Sequence, residues 1–250
     1  MSPRLRGGPR RRHPMRRQLD LEIQRQPDDT TCGPTSLHAV YRYFGDDVEL
    51  EDVVREVTTL PGGGTLGVHL GCHALRRGYR ARVYTFNLQV MDPTWFDRPG
   101  VDLAERLRLR RDARGDDRVR ESCDAYMQFL ALGGEVLLDD LTAQLLQRYL
   151  ELGVPLLTGL SSTYLYRAMR EIGPEDDDVR GDPQGHFVVL CGYSAWDRSV
   201  LIADPLASSP LVGVDRRYDV NIDRLVCAIL LGVLTYDGNL LVIEPREDAP

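Results

Sequence analysis

The sequence contains no lysine, because all 31 basic residues among its 250 are arginine. Without a lysine amine the chain cannot form a Schiff base with a substrate, anchor pyridoxal phosphate or complete a Walker-type phosphate loop. These three classes of chemistry are therefore excluded. The arginine bias itself is attributed to a GC-rich genome and assigns no function.

The sequence also lacks a long apolar run. The longest, LVCAILLGVL at residues 225–234, is about half of the ~20 residues that a membrane span requires, so no span is expected. No apolar segment follows the arginine-rich N-terminus, which excludes a secretory signal of the usual form. The five scattered cysteines are an odd number and indicate reduced thiols in a cytoplasmic protein rather than a disulfide framework.

The charge is distributed unevenly along the chain. Residues 1–17 hold seven arginines and no acid, and removing these seven from 31 leaves 24 arginines against 38 acidic groups, a charge of −14. A body this acidic repels phosphate backbones, which argues against nucleic acid as a partner. The proline and glycine content of the head predicts a disordered tail over residues 1–18, followed by a single domain over residues 19–250.

The apolar pattern predicts helices first and antiparallel strands later. CGPTSLHAVYRYFG, residues 32–45, has apolar residues at helical spacing and ends at a glycine, and a short strand is expected before it from Leu19. Further helices are predicted at residues 49–57, 139–153 and 222–231, and within residues 62–79, where a glycine turn is followed by a helix that ends at Gly78. Further strands are predicted at residues 80–86, 154–160, 186–193, 199–205 and 239–245. This order is typical of the α+β class, with N-terminal helices packed on a mostly antiparallel sheet. The Arg/Asp-rich segment at about 91–135 is interpreted as an inserted helical cap.

Cys32 lies at the N-terminus of the first predicted helix. The positive end of a helix favours the thiolate, which is the nucleophilic form of cysteine, and Gly33 would allow a substrate backbone to approach. Cysteine is also among the most buried residue types. Taken alone, this segment supports a nucleophile and a buried structural thiol equally.

A nucleophilic cysteine requires a base and a group that orients the base. His186 opens one strand and Asp204 closes the next, and both lie nine residues from Ala195, near the centre of the connecting turn. In an antiparallel pair these two residues meet at the same end of the hairpin. The carboxylate is expected to hold Nδ1–H of the imidazole and to leave Nε2 as the base.

Gln26 lies six residues before Cys32, across a Pro-Asp-Asp turn that can fold the chain back. Its side-chain amide and the Cys32 backbone N–H would form a two-donor hole for the oxyanion of a tetrahedral intermediate. Glutamine is common in turns, so this feature is weak when taken alone.

Together these residues resemble a known family. The pattern Q-x5-C-G-P before a helix, followed downstream by GHFVVL, GY and ADP, is similar to the C39-like peptidases, which are bacterial papain-like cysteine proteases. The resemblance covers roughly residues 19–90 and 136–210. It implies a papain-like fold with Cys32 as the nucleophile, His186 as the base, Asp204 as the orienting carboxylate and Gln26 as the oxyanion donor.

The resemblance implies a thiol peptidase, a hydrolase that cleaves an amide bond in a peptide or protein substrate, with a leader peptide as one possibility. Three departures are visible. Thr31 replaces the acidic residue that often precedes the cysteine, and the insertion at 91–135 is larger than the compact peptidase domains of the family carry. No transporter segment is present, which implies a stand-alone member. Two alternatives stay open. The same triad could pass an acyl group to an amine, or the chain could be a non-catalytic C39-like peptide-binding protein.

Other candidate sites are weaker. HLGCH, residues 69–73, places two histidines four apart beside Cys72, a spacing that can bind zinc, but it lacks the acid of the zincin pattern. Structural histidines are therefore the favoured interpretation. The acidic run at residues 175–178 lacks the spacing of a calcium loop and is interpreted as a solvated loop at the cleft edge. The aromatics of TYLYRAM, residues 163–169, fit a substrate contact and core packing equally well. Neither a metal nor a cofactor is expected.

Overall fold

The computed structural model describes residues 16–113, 116–206, 211, 215–236 and 238–246. Within these ranges the chain has the expected α+β organisation, in which helices pack on a mostly antiparallel sheet. The helices are α1 (Cys32–Tyr43), α2 (Leu50–Glu56), α3 (Gly67–Arg76), α4 (Leu103–Ala113), α5 (Asp117–Ala131), α6 (Ala143–Glu151), α7 (Ser162–Tyr166) and α8 (Ile222–Leu231). The strands are β1 (Arg16–Gln18), β2 (Arg80–Thr85), β3 (Glu135–Leu137), β4 (Leu156–Ser161), β5 (Glu171–Ile172), β6 (Glu175–Asp176), β7 (Gly185–Ser194), β8 (Ser199–Ala203), β9 (Arg217–Asn221) and β10 (Asn239–Glu244).

The main sheet has the strand order β3-β2-β10-β4-β7-β8-β9. The pairing of β2 with β3 is parallel, and the pairings along the rest of this order are antiparallel. β7 is long enough to pair with β4 along its first part and with β1 along its last part. The start of β7 is consequently surrounded by other elements, which favours a fixed position for a side chain there.

Helix α1 packs across the sheet at β7. Its Leu37, Val40 and Tyr41 are buried, as the helical spacing of apolar residues predicts. The Ser36 hydroxyl donates to the Phe187 carbonyl at 3.1 Å, which fixes the helix against the first residues of β7. Gly45 follows the helix with a φ of 82°, a conformation that glycine adopts without strain.

Gly33 has a packing role in this contact. A Cβ at Gly33 would lie 2.8 Å from Cγ2 of Thr65 and 3.3 Å from the Phe187 ring. Any side chain at this position would force α1 away from its neighbours. The missing side chain therefore serves the close approach of α1 to the protein interior, rather than the approach of a substrate that we expected from the sequence.

The N-terminal strand differs from the prediction. Residues 19–26 form neither a helix nor a strand. The strand lies earlier, at Arg16–Gln18 (β1), where the residues are exposed and pair with Gly192 to Ser194 of β7. The pairing uses backbone groups alone, so the apolar pattern could not reveal it. The predicted tail over residues 1–18 thus includes three ordered residues, while residues 1–15 lie outside the described part.

The segment predicted as an inserted cap forms the pair of helices α4 and α5. Phe129 of α5 is fully buried and packs on α3, where a Cβ at Gly71 would lie 2.6 Å from its ring. Between residues 16 and 246, the described helices include none that is long and apolar enough to cross a membrane.

Candidate catalytic site

Cys32 is the first residue of α1 and is partly exposed. The preceding residue, Thr31, makes no side-chain cap to the helix, because its hydroxyl is used in the turn before it. That hydroxyl donates to the Asp28 carbonyl at 3.1 Å and accepts the Asp28 N–H at 3.2 Å. The first-turn N–H groups of α1, with their partial positive charge, therefore lie at the thiol of Cys32.

His186 and Asp204 form the pair predicted from the hairpin. Nε2 of His186 lies 2.9 Å from Oδ1 of Asp204, and both side chains are buried. The atom assignment made from the sequence is wrong, because the carboxylate holds Nε2 rather than Nδ1. Nδ1 is consequently the ring nitrogen that remains for the hydrogen bond between His186 and Cys32.

The register of the hairpin explains how the pair meets. Val189 pairs with Ala203, and the register shifts by one residue at Cys191, where β7 bulges. One step further, Asp204 stands opposite Val188, which is two residues from His186. Residues two apart in a strand share a face, so His186 and Asp204 are diagonal neighbours rather than directly opposed.

The electrostatics of the site favour a charged imidazole. Burial lowers the pKa of His186, but the charge of Cys32 and the hydrogen bonds to Asp204 and Cys32 outweigh burial and raise the pKa to about 10. An imidazolium at neutral pH carries a proton on both ring nitrogens, so it can donate to the carboxylate and to the sulfur at once.

Asp204 is 0% exposed and receives four hydrogen bonds. Oδ1 accepts from His186 and from the Leu206 N–H, and Oδ2 accepts from the hydroxyls of Tyr166 at 2.5 Å and Tyr218 at 2.7 Å. Burial raises the pKa of this carboxyl. The hydrogen bonds from His186 and the two tyrosines lower the pKa by more than burial raises it, so the net pKa is below its ordinary value. Sequence reasoning missed both tyrosines as parts of this site.

Gln26 is buried, with 6% exposure, beside both halves of the site. Its backbone N–H donates to the Pro205 carbonyl at 3.0 Å, and its side-chain Nε2 donates to the Asp28 carbonyl at 2.8 Å. The segment before Cys32 is thus tied to the chain just after Asp204. Oε1 of Gln26 has no hydrogen-bond partner among the described residues.

A groove of about 470 Å³ opens at Cys32. One wall is formed by the glycine turn at residues 62–65 and the other by residues 182–185, just before His186. Its charged lining residues are Asp29, Asp182 and Arg118. Glu171 of β5 lies near the same wall, since burial together with Asp176 and Asp29 raises its pKa. The acidic run at residues 175–178, predicted as a solvated loop at the cleft edge, begins instead with strand β6, which pairs with β5 and places Glu175 opposite Ile172.

A second cavity of about 640 Å³ adjoins the groove and is mostly apolar. It lies between α7 and α8 and shares Pro183 and Leu234 with the groove. Residues of α7, including Tyr164, form one wall, and Cys227 and Leu231 of α8 form the other. An elongated ligand bound at Cys32 could thus extend along this face of the molecule.

The histidines of α3 have structural contacts. Nδ1 of His73 lies 2.8 Å from the Tyr41 hydroxyl, and Nε2 lies 3.3 Å from Oε2 of Glu56. Burial lowers the pKa of His69 and raises the pKa of the Cys72 thiol to about 11, so both are uncharged at neutral pH. Among the residues that the structure describes, no three His, Cys, Asp or Glu side chains are grouped as metal ligands.

Comparison with known proteins identifies the fold first as that of papain-like cysteine peptidases. No family model matches the chain, and no curated protein matches it. Among solved structures, a protein of Bacillus anthracis described as a C39-like peptidase has a TM-score of 0.50 at 15% identity, over 92% of this chain and 98% of that chain. The fold is therefore that of the C39-like peptidases, and the resemblance seen in the sequence is confirmed at the level of fold.

Two further solved structures align with most of this chain at lower TM-scores. A double glycine motif protease from an AMS/PCAT transporter, in complex with the leader peptide, has a TM-score of 0.44 at 14% identity, over 92% of this chain and 94% of that chain. Xylellain, a cysteine protease from Xylella fastidiosa, has a TM-score of 0.44 at 12% identity, over 94% of this chain and 88% of that chain.

Proposed function

We propose that this chain is a cysteine hydrolase that cleaves an amide bond in a peptide substrate, with Cys32, His186 and Asp204 as its catalytic triad. One observation carries the proposal. The buried imidazole of His186 is held at 2.9 Å by a carboxylate of lowered pKa, and Cys32, at the start of α1, is among the groups that raise the pKa of this imidazole. A helix-terminal thiol, a base and an orienting acid are the parts that nucleophilic catalysis by cysteine requires.

In the first half of the reaction the Cys32 thiolate attacks the carbonyl carbon, and an S–C bond forms. Collapse of the tetrahedral intermediate breaks the C–N bond, and the imidazolium of His186 gives its Nδ1 proton to the leaving amine. In the second half neutral His186 takes a proton from water, the resulting hydroxide attacks the thioester, and the S–C bond breaks. The products are an amine and a carboxylic acid, and the enzyme regains its starting state.

The oxyanion of each intermediate would be bound by Gln26 and by the backbone N–H of Cys32. One N–H of the Gln26 amide is engaged by the Asp28 carbonyl, which orients the group, and the other remains to donate to the substrate oxygen. The bond between the Gln26 N–H and the Pro205 carbonyl ties the segment of this donor to the residue after Asp204.

The groove supports a peptide as the substrate, because it runs past Cys32 between two chain segments and is open at the surface. Cleavage of a leader peptide is the narrower form of this proposal. The five cysteines are free thiols, which supports the reducing, cytoplasmic compartment expected from the sequence.

The proposal is tested by the full chain and two variants, Cys32→Ala and Cys72→Ala, incubated with a mixed peptide set that includes double-glycine leader peptides. Cys72 is a buried cysteine outside the lining of both cavities and serves as the matched control. We expect cleavage products by mass spectrometry from the wild type and from Cys72→Ala, and none from Cys32→Ala. Equal cleavage by Cys32→Ala would refute the assignment. Addition of a primary amine separates hydrolysis from acyl transfer, since transfer gives an amide product.

A further inference from the structure

Asp204 is surrounded in a way that the three-residue triad does not explain. The carboxylate is fully buried, and one of its oxygens, Oδ2, is occupied by two phenol groups, Tyr166 at 2.5 Å and Tyr218 at 2.7 Å. The two tyrosines come from separate elements, α7 and β9. Contact with Oδ1 alone is sufficient to orient His186, so the two hydroxyls on Oδ2 require a separate explanation.

We propose that Tyr166 and Tyr218 are positioning residues of the active site, which keep Asp204 ionised and direct its Oδ1 at His186. The inference rests on the proposed function, because it assigns to His186 the role of the base. Both tyrosines act through Asp204, to which their hydroxyls donate, and neither is assigned a contact with the substrate or the sulfur.

The first step of the argument is the cost of burying a carboxylate. A fully buried acid normally takes up a proton, because burial disfavours the charged form. Hydrogen bonds from O–H groups reverse this tendency, and bonds to a charged acceptor are stronger than those between neutral groups. The pKa of Asp204 is below its ordinary value despite burial, with His186 and both tyrosines among the causes.

The second step concerns the charge of the donors. A phenol solvates the carboxylate without cancelling its negative charge, whereas an arginine on Oδ2 would compete with the imidazolium for that charge. The Tyr218 phenol stays protonated, and therefore stays a donor, over the working range of pH. Burial, the neighbouring Tyr166 and the charge of Asp204 raise the pKa of Tyr218 well above its usual value.

The third step is geometric. With Oδ2 held by two hydroxyls and Oδ1 shared by the Leu206 N–H and His186, the plane of the carboxylate is fixed from both sides. Tyr166 also contacts the base itself, since its ring centroid lies 6.2 Å from that of His186. The ring and hydroxyl of one residue thus constrain two members of the triad.

The experiment compares wild type, Tyr166→Phe and Tyr218→Phe by the rate of Cys32 alkylation with iodoacetamide from pH 4.5 to 9, mapped by mass spectrometry. The exposed Cys227 in the same molecule serves as the internal reference. Tyr84→Phe is the matched control, because it removes a buried hydrogen bond of 2.8 Å between the hydroxyls of Tyr84 and Tyr149. Tyr84 lies on β2, which is separated by β10 and β4 from β7, the strand of His186. Thermal unfolding confirms that each variant is folded.

We expect each positioning variant to shift the acid limb of the Cys32 profile by about one pH unit toward higher pH, as loss of one hydrogen bond to a buried anion implies. Tyr84→Phe should leave the profile unchanged. Profiles of both positioning variants that superimpose on the wild type would overturn the inference. If one of the two positioning variants does not fold, the profile of the other is sufficient to test the inference.

A measurement on the wild type makes the test independent of the variants and of catalysis. Asp204 is followed by ¹³C NMR of its carboxyl carbon, assigned by comparison with Asp204→Asn. We expect no protonation of Asp204 above about pH 4, the ordinary value for aspartate. Protonation above that pH would overturn the inference. A Cys32 that reacts no faster than Cys227 in the wild type would instead overturn the proposed function. The role of the tyrosines would then be decided by the same NMR titration of Asp204 in Tyr166→Phe and Tyr218→Phe, in which we expect its pKa to rise.

Discussion

Nε2 of His186 and Oδ1 of Asp204 lie 2.9 Å apart, although the register of their strands does not place the two residues opposite each other. They meet diagonally on one face of the hairpin, across a pairing that is displaced by the bulge at Cys191. This contact occupies Nε2 and leaves the second ring nitrogen, Nδ1, for the interaction of His186 with Cys32.

The raised pKa of His186 predicts that this imidazole supports the reactivity of Cys32. The imidazolium persists below its pKa of about 10 and is lost as the pH rises through that value. A positive group beside the sulfur favours the reactive thiolate, so we expect iodoacetamide to alkylate Cys32 at pH 7 faster in the wild type than in His186→Ala. Mass spectrometry of the alkylated cysteine gives the two rates. Equal rates for the two proteins would contradict the pairing of His186 with Cys32.

Substitution of Gln26 should separate oxyanion binding from thiol reactivity. Loss of one oxyanion donor typically lowers kcat by about 10²–10³-fold. We expect a decrease of this order in peptide cleavage by Gln26→Ala, while alkylation of Cys32, which forms no oxyanion, changes little. The exposed Gln24 provides the control, since Gln24→Ala should leave both rates unchanged. A parallel loss of cleavage and alkylation would indicate that Gln26 only supports the fold.

The contact between α3 and α5 should be sensitive to a single methyl group. A Cβ at Gly71 would lie 2.6 Å from the buried ring of Phe129, and overpacking of this kind costs about 1–3 kcal/mol. We expect Gly71→Ala to lower the free energy of unfolding in urea by about that amount. Gly62→Ala is the control, because nothing lies within 4 Å of its Cβ position. Equal stability of the two variants would show that the helices can move apart without cost.

The ion pair of Asp46 with Arg77 should make stability depend on pH. Two bonds from Arg77, each of 2.6 Å, lower the pKa of Asp46 in the folded protein. A lowered pKa contributes stability above the unfolded value, near ~3.9, and that contribution is lost as the pH falls through the folded value.

We therefore expect Asp46→Asn to be less stable than the wild type at pH 7, by about 1 kcal/mol, and the difference to shrink toward pH 3. Asp47→Asn is the matched control, because Asp47 is almost fully exposed where it meets Arg42. Urea unfolding at both pH values measures the effect. A difference between Asp46→Asn and wild type that is the same at both pH values would exclude the ion pair as its source.

Much of the catalytic site could be predicted from the sequence because its parts are marked locally. Cys32 stands before a run of helical period, and His186 and Asp204 stand at the outer ends of two apolar strands joined by a short turn. The assumption of a regular hairpin was sufficient to bring the pair together, and the bulge at Cys191 changed its details.

Other parts have no local signal. Tyr166 and Tyr218 lie 38 and 14 residues from Asp204, and the sequence does not indicate which of eleven tyrosines reaches a buried carboxylate. The ring nitrogen that meets Asp204 depends on the side chain's rotation, which spacing does not fix. Strand β1 is polar on every residue and is held by backbone bonds, so its pattern resembles that of a tail.

The position of β10 has a consequence for the timing of activity during synthesis. This strand lies between β2 and β4, so it joins the part of the sheet that emerges early from the ribosome to the part that carries His186. Cys32 is made 154 residues before His186, but the sheet cannot close until the ribosome has passed Glu244. Non-local pairing of this kind forms late in folding. The central pairings of β10 with β2 and β4 are thus the last of the described sheet to become possible, so the sheet around His186 is completed only at the end of translation of its strands.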